Sequence, residues 1–263
     1  MLLKDKIAVV YGAGGAIGGA VARAFAAEGA TVFLTGRRLP TVEAAAKEIV
    51  AAGGSAEAAE VDALDGQAVE AHLRSVVERA GRVDVSFNAV GVPDREILGT
   101  PLAELDVETF LRPVTDYACS YFLTARAAAR RMLPNHSGVI MTVTAIPARM
   151  GSALNGGYGP ASAAKEALTR DLSAELAPHG VRVVGLRPHG LPETASLRAV
   201  HAAKADASGL SWQQFEEYLA ASSHTRRTMR LRELAEVAAF MASDRASGMT
   251  GTSVNLSMGR LDD

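Results

Sequence analysis

Tyr11-Gly12-Ala13-Gly14-Gly15-Ala16-Ile17-Gly18 follows a short β-branched run, 7–10, and opens an Ala-rich stretch of helical period, 17–28. The order of strand, glycine turn and helix is what gives these glycines meaning. Lacking a Cβ, they let the chain turn tightly, so that backbone N–H groups and the helix N-terminus can approach a pyrophosphate, whose charge the helix dipole favours. A glycine cluster alone is weak evidence, and a tight strand-to-helix turn without any ligand is the plain alternative.

Downstream the same alternation repeats. Further strands are expected at 31–35, 56–61, 83–87, 139–144, 181–186 and 253–256, and further helices at 41–52, 67–80, 107–132, 158–177 and 231–242. Short β-branched runs alternating with longer helical ones are the pattern of βαβ units. The expectation is an α/β fold of the Rossmann type, a doubly wound, seven-stranded, mostly parallel sheet with helices on both faces and ligands beyond the carboxyl ends of the strands. Pro113, near the start of the long fourth helix, marks either a later N-terminus or a kink. No linker-like stretch interrupts the 263 residues, so 1–263 reads as one dinucleotide-binding domain. The segment 192–230, amphipathic around Trp212, Phe215 and Leu219, reads as a substrate lid or as a packed surface helix pair.

Composition narrows the function classes. Hydrophobic residues make up 48% and charged residues 21%, as in ordinary globular proteins, and the net charge of −2 leaves no excess positive charge for nucleic acid or an anionic membrane. The one cysteine, Cys119, makes neither an internal disulfide nor a zinc site, and no spacing among the six histidines suggests a metal. Residues 1–6 lack a secretory apolar run, so a cytoplasmic location is expected.

After the second strand comes Thr35-Gly36-Arg37-Arg38. An acidic residue there would accept hydrogen bonds from the ribose hydroxyls of NAD, whereas guanidiniums pair bidentately with a 2′-phosphate. NADP(H) is therefore favoured over NAD(H), with a solvated basic turn as the alternative. The glycine run resembles the TGxxxGxG fingerprint of the short-chain dehydrogenase/reductase family, with Gly12 and Gly18 matching and Ala16 in place of the middle glycine. Val61-Asp62 resembles the family's adenine contact, Asn88-Ala89-Val90-Gly91 its NNAG stretch, and 249–255 its closing ITGxxxxV. The resemblance spans the chain. It implies cofactor contacts from Gly12, Gly14, Gly15, Ile17, Gly18, Arg37, Arg38, Asp62, Asn88, Gly91, Pro188 and Thr194.

The same resemblance implies a catalytic Tyr with a Lys one helical turn on, the ammonium lowering the phenol pKa, and a Ser and an Asn beside them. Counting back from 166–170 and 177–183, which are similar to the end of the family's catalytic helix and the strand after it, places the Tyr at Tyr158. Ser162 then holds the Lys position, Ala145 the Ser position with Thr144 one step earlier, and Tyr117 the Asn position. Lys165 returns to the Tyr158 face after nearly two turns, about 10 Å along the axis. It is read either as an assisting cation or as a solvated or interface lysine. The spacing from Tyr158 to Lys165 also equals that of the enoyl-thioester reductases of this superfamily. His189, in the family's PG turn, is either a proton donor or a turn-capping or exposed residue.

Three expectations follow from these residues. The first is an NADP(H)-dependent oxidoreductase acting on a carbonyl or alcohol in a small apolar substrate through Tyr158, Thr144 and Lys165. The second is a dinucleotide-binding sensor or partner subunit that has lost catalysis, and the third is enoyl-thioester reduction. The family resemblance also implies a homodimer or homotetramer paired through the fourth and fifth helices.

Overall fold

The computed structural model describes residues 1–91, 97–194, 198, 202 and 205–262. Seven strands form one sheet in the order β3-β2-β1-β4-β5-β6-β7, and every neighbouring pair is parallel. They are β1 Ile7–Tyr11, β2 Thr31–Gly36, β3 Ser55–Glu60, β4 Val85–Asn88, β5 Gly138–Val143, β6 Val181–Pro188 and β7 Thr252–Leu256. The order reverses between β1 and β4, where Tyr11 lies in register with Asn88. Chains leaving these two strands diverge to opposite sides, and the crevice they leave is where an α/β sheet takes its ligand.

Helices α1 Ala16–Ala27, α2 Leu39–Ala51, α3 Gly66–Ala80, α4 Val107–Met132, α5 Tyr158–Leu176, α6 Trp212–Ala221 and α7 Leu231–Ala242 surround the sheet. Two apolar cores result, one on each face. Val10, Phe25, Leu34, Phe87 and Leu234 fill the first, and Val9, Phe33, Leu73, Tyr121 and Ile140 the second. Neighbouring residues of one strand serve opposite cores because strand side chains alternate. None of the helices among the described residues is long and apolar enough to cross a membrane.

Elements differ from expectation mainly at their ends. β6 runs on through Arg187 and Pro188, which brings a charged residue into the sheet. α4 begins at Val107, capped by the Asp106 side chain on the Thr109 N–H, and continues past Pro113 as one helix. The amphipathic stretch around Trp212 is helix α6, with a buried Phe215 and Leu219 packed on Ala205. Of the expected lid, 195–197, 199–201 and 203–204 lie outside the described residues.

Candidate active site

The glycine turn is built by close approach. Gly12 has φ 74°, and a Cβ there would stand 2.5 Å from the Ala89 carbonyl oxygen, so only glycine lets the β1 turn lie against the chain leaving β4. A side chain on Gly18 would collide with the Gly12 carbonyl, which seats α1 directly on the turn. The helix starts at Ala16 after Gly15 in the cap position, with no side-chain cap and no acidic residue in its first turn. Its leading N–H groups therefore face the crevice with the positive end of the helix dipole, the arrangement that suits a diphosphate. Ala16 is accommodated as the first residue of α1.

These residues open a cleft of about 720 Å³. Gly14, Gly15, Ile17, Gly91 and Thr194 line it, and the exposed Arg37 and Arg38 stand at its β2 side. Asp62 also lines it, with Oδ1 accepting the Leu64 N–H at 3.0 Å. Asn88 turns inward instead. Its amide donates to Thr124 Oγ1 on α4 at 3.1 Å and its Oδ1 accepts from the Val90 N–H at 3.4 Å, so it braces the loop that forms the cleft wall.

A second cavity, about 410 Å³ and mostly apolar, adjoins the first, with Pro188 and His189 on its wall. Ile17, Thr144 and Tyr158 border both. Tyr158 is the first residue of α5, and the preceding Gly157 fits so tightly under the Phe110 carbonyl of α4 that a Cβ would overlap it. That contact and the edge-on ring of Tyr117, 5.9 Å away between centroids, fix Tyr158 at the junction. Ser162 follows one turn on, buried in the cofactor-side cleft wall.

Lys165 is not the solvated lysine that was one reading of it. The side chain is 2% exposed and lines the larger cleft. Its ammonium donates to the Val143 carbonyl at 2.8 Å and lies 5.4 Å and 5.8 Å from the ring centres of Tyr117 and Tyr121. Burial pushes its pKa down to about 7. His189 is likewise buried, with Nε2 3.3 Å from Ser222 Oγ, and burial together with the charge of Arg260 lowers its pKa.

Beneath the junction lies a buried pair that sequence reading passes over. Arg187 of β6 donates to both carboxylate oxygens of Glu166 on α5, at 2.7 and 3.1 Å, and the Thr144 hydroxyl donates to Glu166 Oε1 at 3.0 Å. Thr144 thus borders both cavities with its hydroxyl directed at two acceptors, Glu166 Oε1 at 3.0 Å and the Leu186 carbonyl at 3.3 Å. The available signal was Arg187 itself, a charge at the end of an apolar strand run, which demands a buried partner.

A parallel sheet reversing at β1 and β4, with a glycine cradle there and a Tyr where cofactor-sized and substrate-sized cavities meet, defines a dinucleotide-dependent oxidoreductase. A family model described as Enoyl-(Acyl carrier protein) reductase matches residues 12–260. The chain is 32% identical over 258 residues to the short-chain reductase protein NovJ of Streptomyces niveus, covering 98% of this chain and 94% of that one. It is 30% identical over 251 residues to the peroxisomal 2,4-dienoyl-CoA reductase of Rattus norvegicus, covering 95% and 82%. Among solved structures, an actinorhodin polyketide ketoreductase variant with NADPH superposes with TM-score 0.89 at 26% identity, covering 97% and 98%. The chain belongs to the short-chain dehydrogenase/reductase family, whose members bind a nicotinamide dinucleotide.

Proposed function

We propose that this chain is an NADP(H)-dependent oxidoreductase interconverting a carbonyl and an alcohol on a small apolar substrate. The observation that carries the reading is Tyr158 at the meeting point of the two cavities. The larger takes the dinucleotide, its diphosphate against the turn from Gly12 to Gly18 and its 2′-phosphate on Arg37 and Arg38. When bound, the nicotinamide supplies or accepts hydride.

Tyr158 donates its hydroxyl proton to the substrate oxygen and stabilises the charge that develops there. Thr144, oriented by Glu166, presents its hydroxyl oxygen beside it, and Lys165 contributes positive charge from below through Tyr117. Ser162 stands one turn after Tyr158, where the family places an ammonium, and brings no charge to the phenol. The residues 1–263 act as one domain in the cytoplasm, with α6 as part of a lid over the apolar cavity. Exposed Leu111 and Phe122 on α4 support pairing into a homodimer or homotetramer.

Assaying ketones, aldehydes and alcohols with NADPH or NADP⁺ tests the reading: turnover that falls in Tyr158→Phe supports it. Tight NADPH binding without turnover of any of them would instead leave a sensor or partner subunit. Enoyl-thioester reduction has its own support, the buried Lys165 seven residues after Tyr158 and the relative named for dienoyl-CoA reduction. Turnover confined to α,β-unsaturated thioesters would select it.

A further inference from the structure

The smaller cavity is walled largely by apolar side chains, Ile146, Met150, Leu191, Phe215 and Leu219 among them, yet a guanidinium, Arg260, also lines it. A guanidinium offers five N–H donors and keeps its charge at any working pH. Nη1 of Arg260 donates to the Ser222 carbonyl at 3.3 Å and Nη2 contacts the Tyr218 hydroxyl at 3.5 Å. The group lies 5.9 Å from the Tyr218 ring centre, and Nε is shut from solvent without an acceptor. Among the described residues these partners are all neutral, and no carboxylate pairs with the charge. His189 on the same wall adds no negative charge. The contacts are long for hydrogen bonds; they hold the guanidinium in place without neutralising it.

Among the described residues this partly buried guanidinium has no anionic partner, and a carboxylate reaching it along the apolar wall would gain charge-assisted hydrogen bonds. We infer that the substrate is an apolar molecule bearing a carboxylate, which seats on Arg260 while the reacting carbon lies against Tyr158. This rests on the oxidoreductase reading above and adds the substrate class. A cavity of about 410 Å³ suits a medium-length acyl chain or one or two rings.

Calorimetric titration with octanoate and with octanol, on the protein alone and on the protein saturated with NADPH, tests this. Octanoate is expected to bind at least about tenfold more tightly than octanol, the advantage shrinking with added salt. Arg260→Leu removes the advantage and leaves octanol binding unchanged, while Arg260→Lys retains part of it. Equal affinities, no binding of octanoate, or an equal loss for both ligands in Arg260→Leu overturns the assignment, the last because it marks a purely structural tie to the end of α6. Should Arg260→Leu fail to fold, the octanoate-to-octanol ratio of the wild type and its salt dependence decide. Absence of NADPH binding would sink the oxidoreductase reading separately, since the acid preference is also read without cofactor.

Discussion

The ammonium of Lys165 stands 5.4 Å from the ring centre of Tyr117, the same ring whose edge-on contact holds Tyr158. The cation and the tyrosine thus pack on the same aromatic ring, whereas one turn along the helix from Tyr158 stands Ser162. Such contacts strengthen when desolvated, to about 2 kcal/mol or more.

Lys165 should leave a mark on stability against pH. Its pKa is near 7 in the folded chain and 10.5 when unfolded, lowered by burial. The unfolded chain holds more protons between these values, so stability rises with pH across that window. Lys165→Met is expected to stabilise the protein by a few kcal/mol below pH 7, the gain fading towards pH 10.5. Urea denaturation of both proteins at several pH values checks it, and a gain independent of pH would refute the assignment.

Ser162→Lys restores an ammonium one turn after Tyr158, in a buried position on the cleft wall. Ketone reduction is expected to rise by about tenfold or more, with the pH profile shifting towards neutrality. Steady-state kcat against pH reads this, and no gain would mean that Lys165 already meets the need.

Tyr158→Phe removes the donor at the junction without changing the ring that packs on Tyr117. A fall in kcat of about 10²-fold or more is expected, with NADPH affinity unaltered. If kcat survives and only KM changes, the hydroxyl positions substrate and does not take part in the chemistry.

The Glu166–Arg187 pair is nearly sealed from water, so breaking it strands a charge. Arg187→Leu is expected to cost about 3–5 kcal/mol, and the double change Glu166→Leu with Arg187→Leu to recover much of it. Thermal unfolding of the single and double variants measures the difference. A harmless single change would show that water reaches the carboxylate.

Much of the architecture was legible because local pattern and tertiary role coincide. The bounds of α4 and α7 follow from helical period, and the glycines at 12 and 18 from a turn that no side chain would permit. Lys165 was not legible. Spacing returns it to the Tyr158 face, but its burial depends on Tyr117 and Tyr121 from α4, a contact between helices that no single stretch encodes. Arg187 and Glu166 are 21 residues apart and meet only through packing of α5 on β6. Arg260 lies past the last strand, in a segment with no periodic signal to place it against the apolar cavity.

Fluorescence titration of the purified protein with NADPH and NADH tests the central claim most directly. The account predicts saturable enhancement of nicotinamide emission, with NADPH bound at least about tenfold more tightly than NADH and that preference lost in Arg37→Ala/Arg38→Ala. Unchanged emission with no heat of binding for either dinucleotide would contradict it.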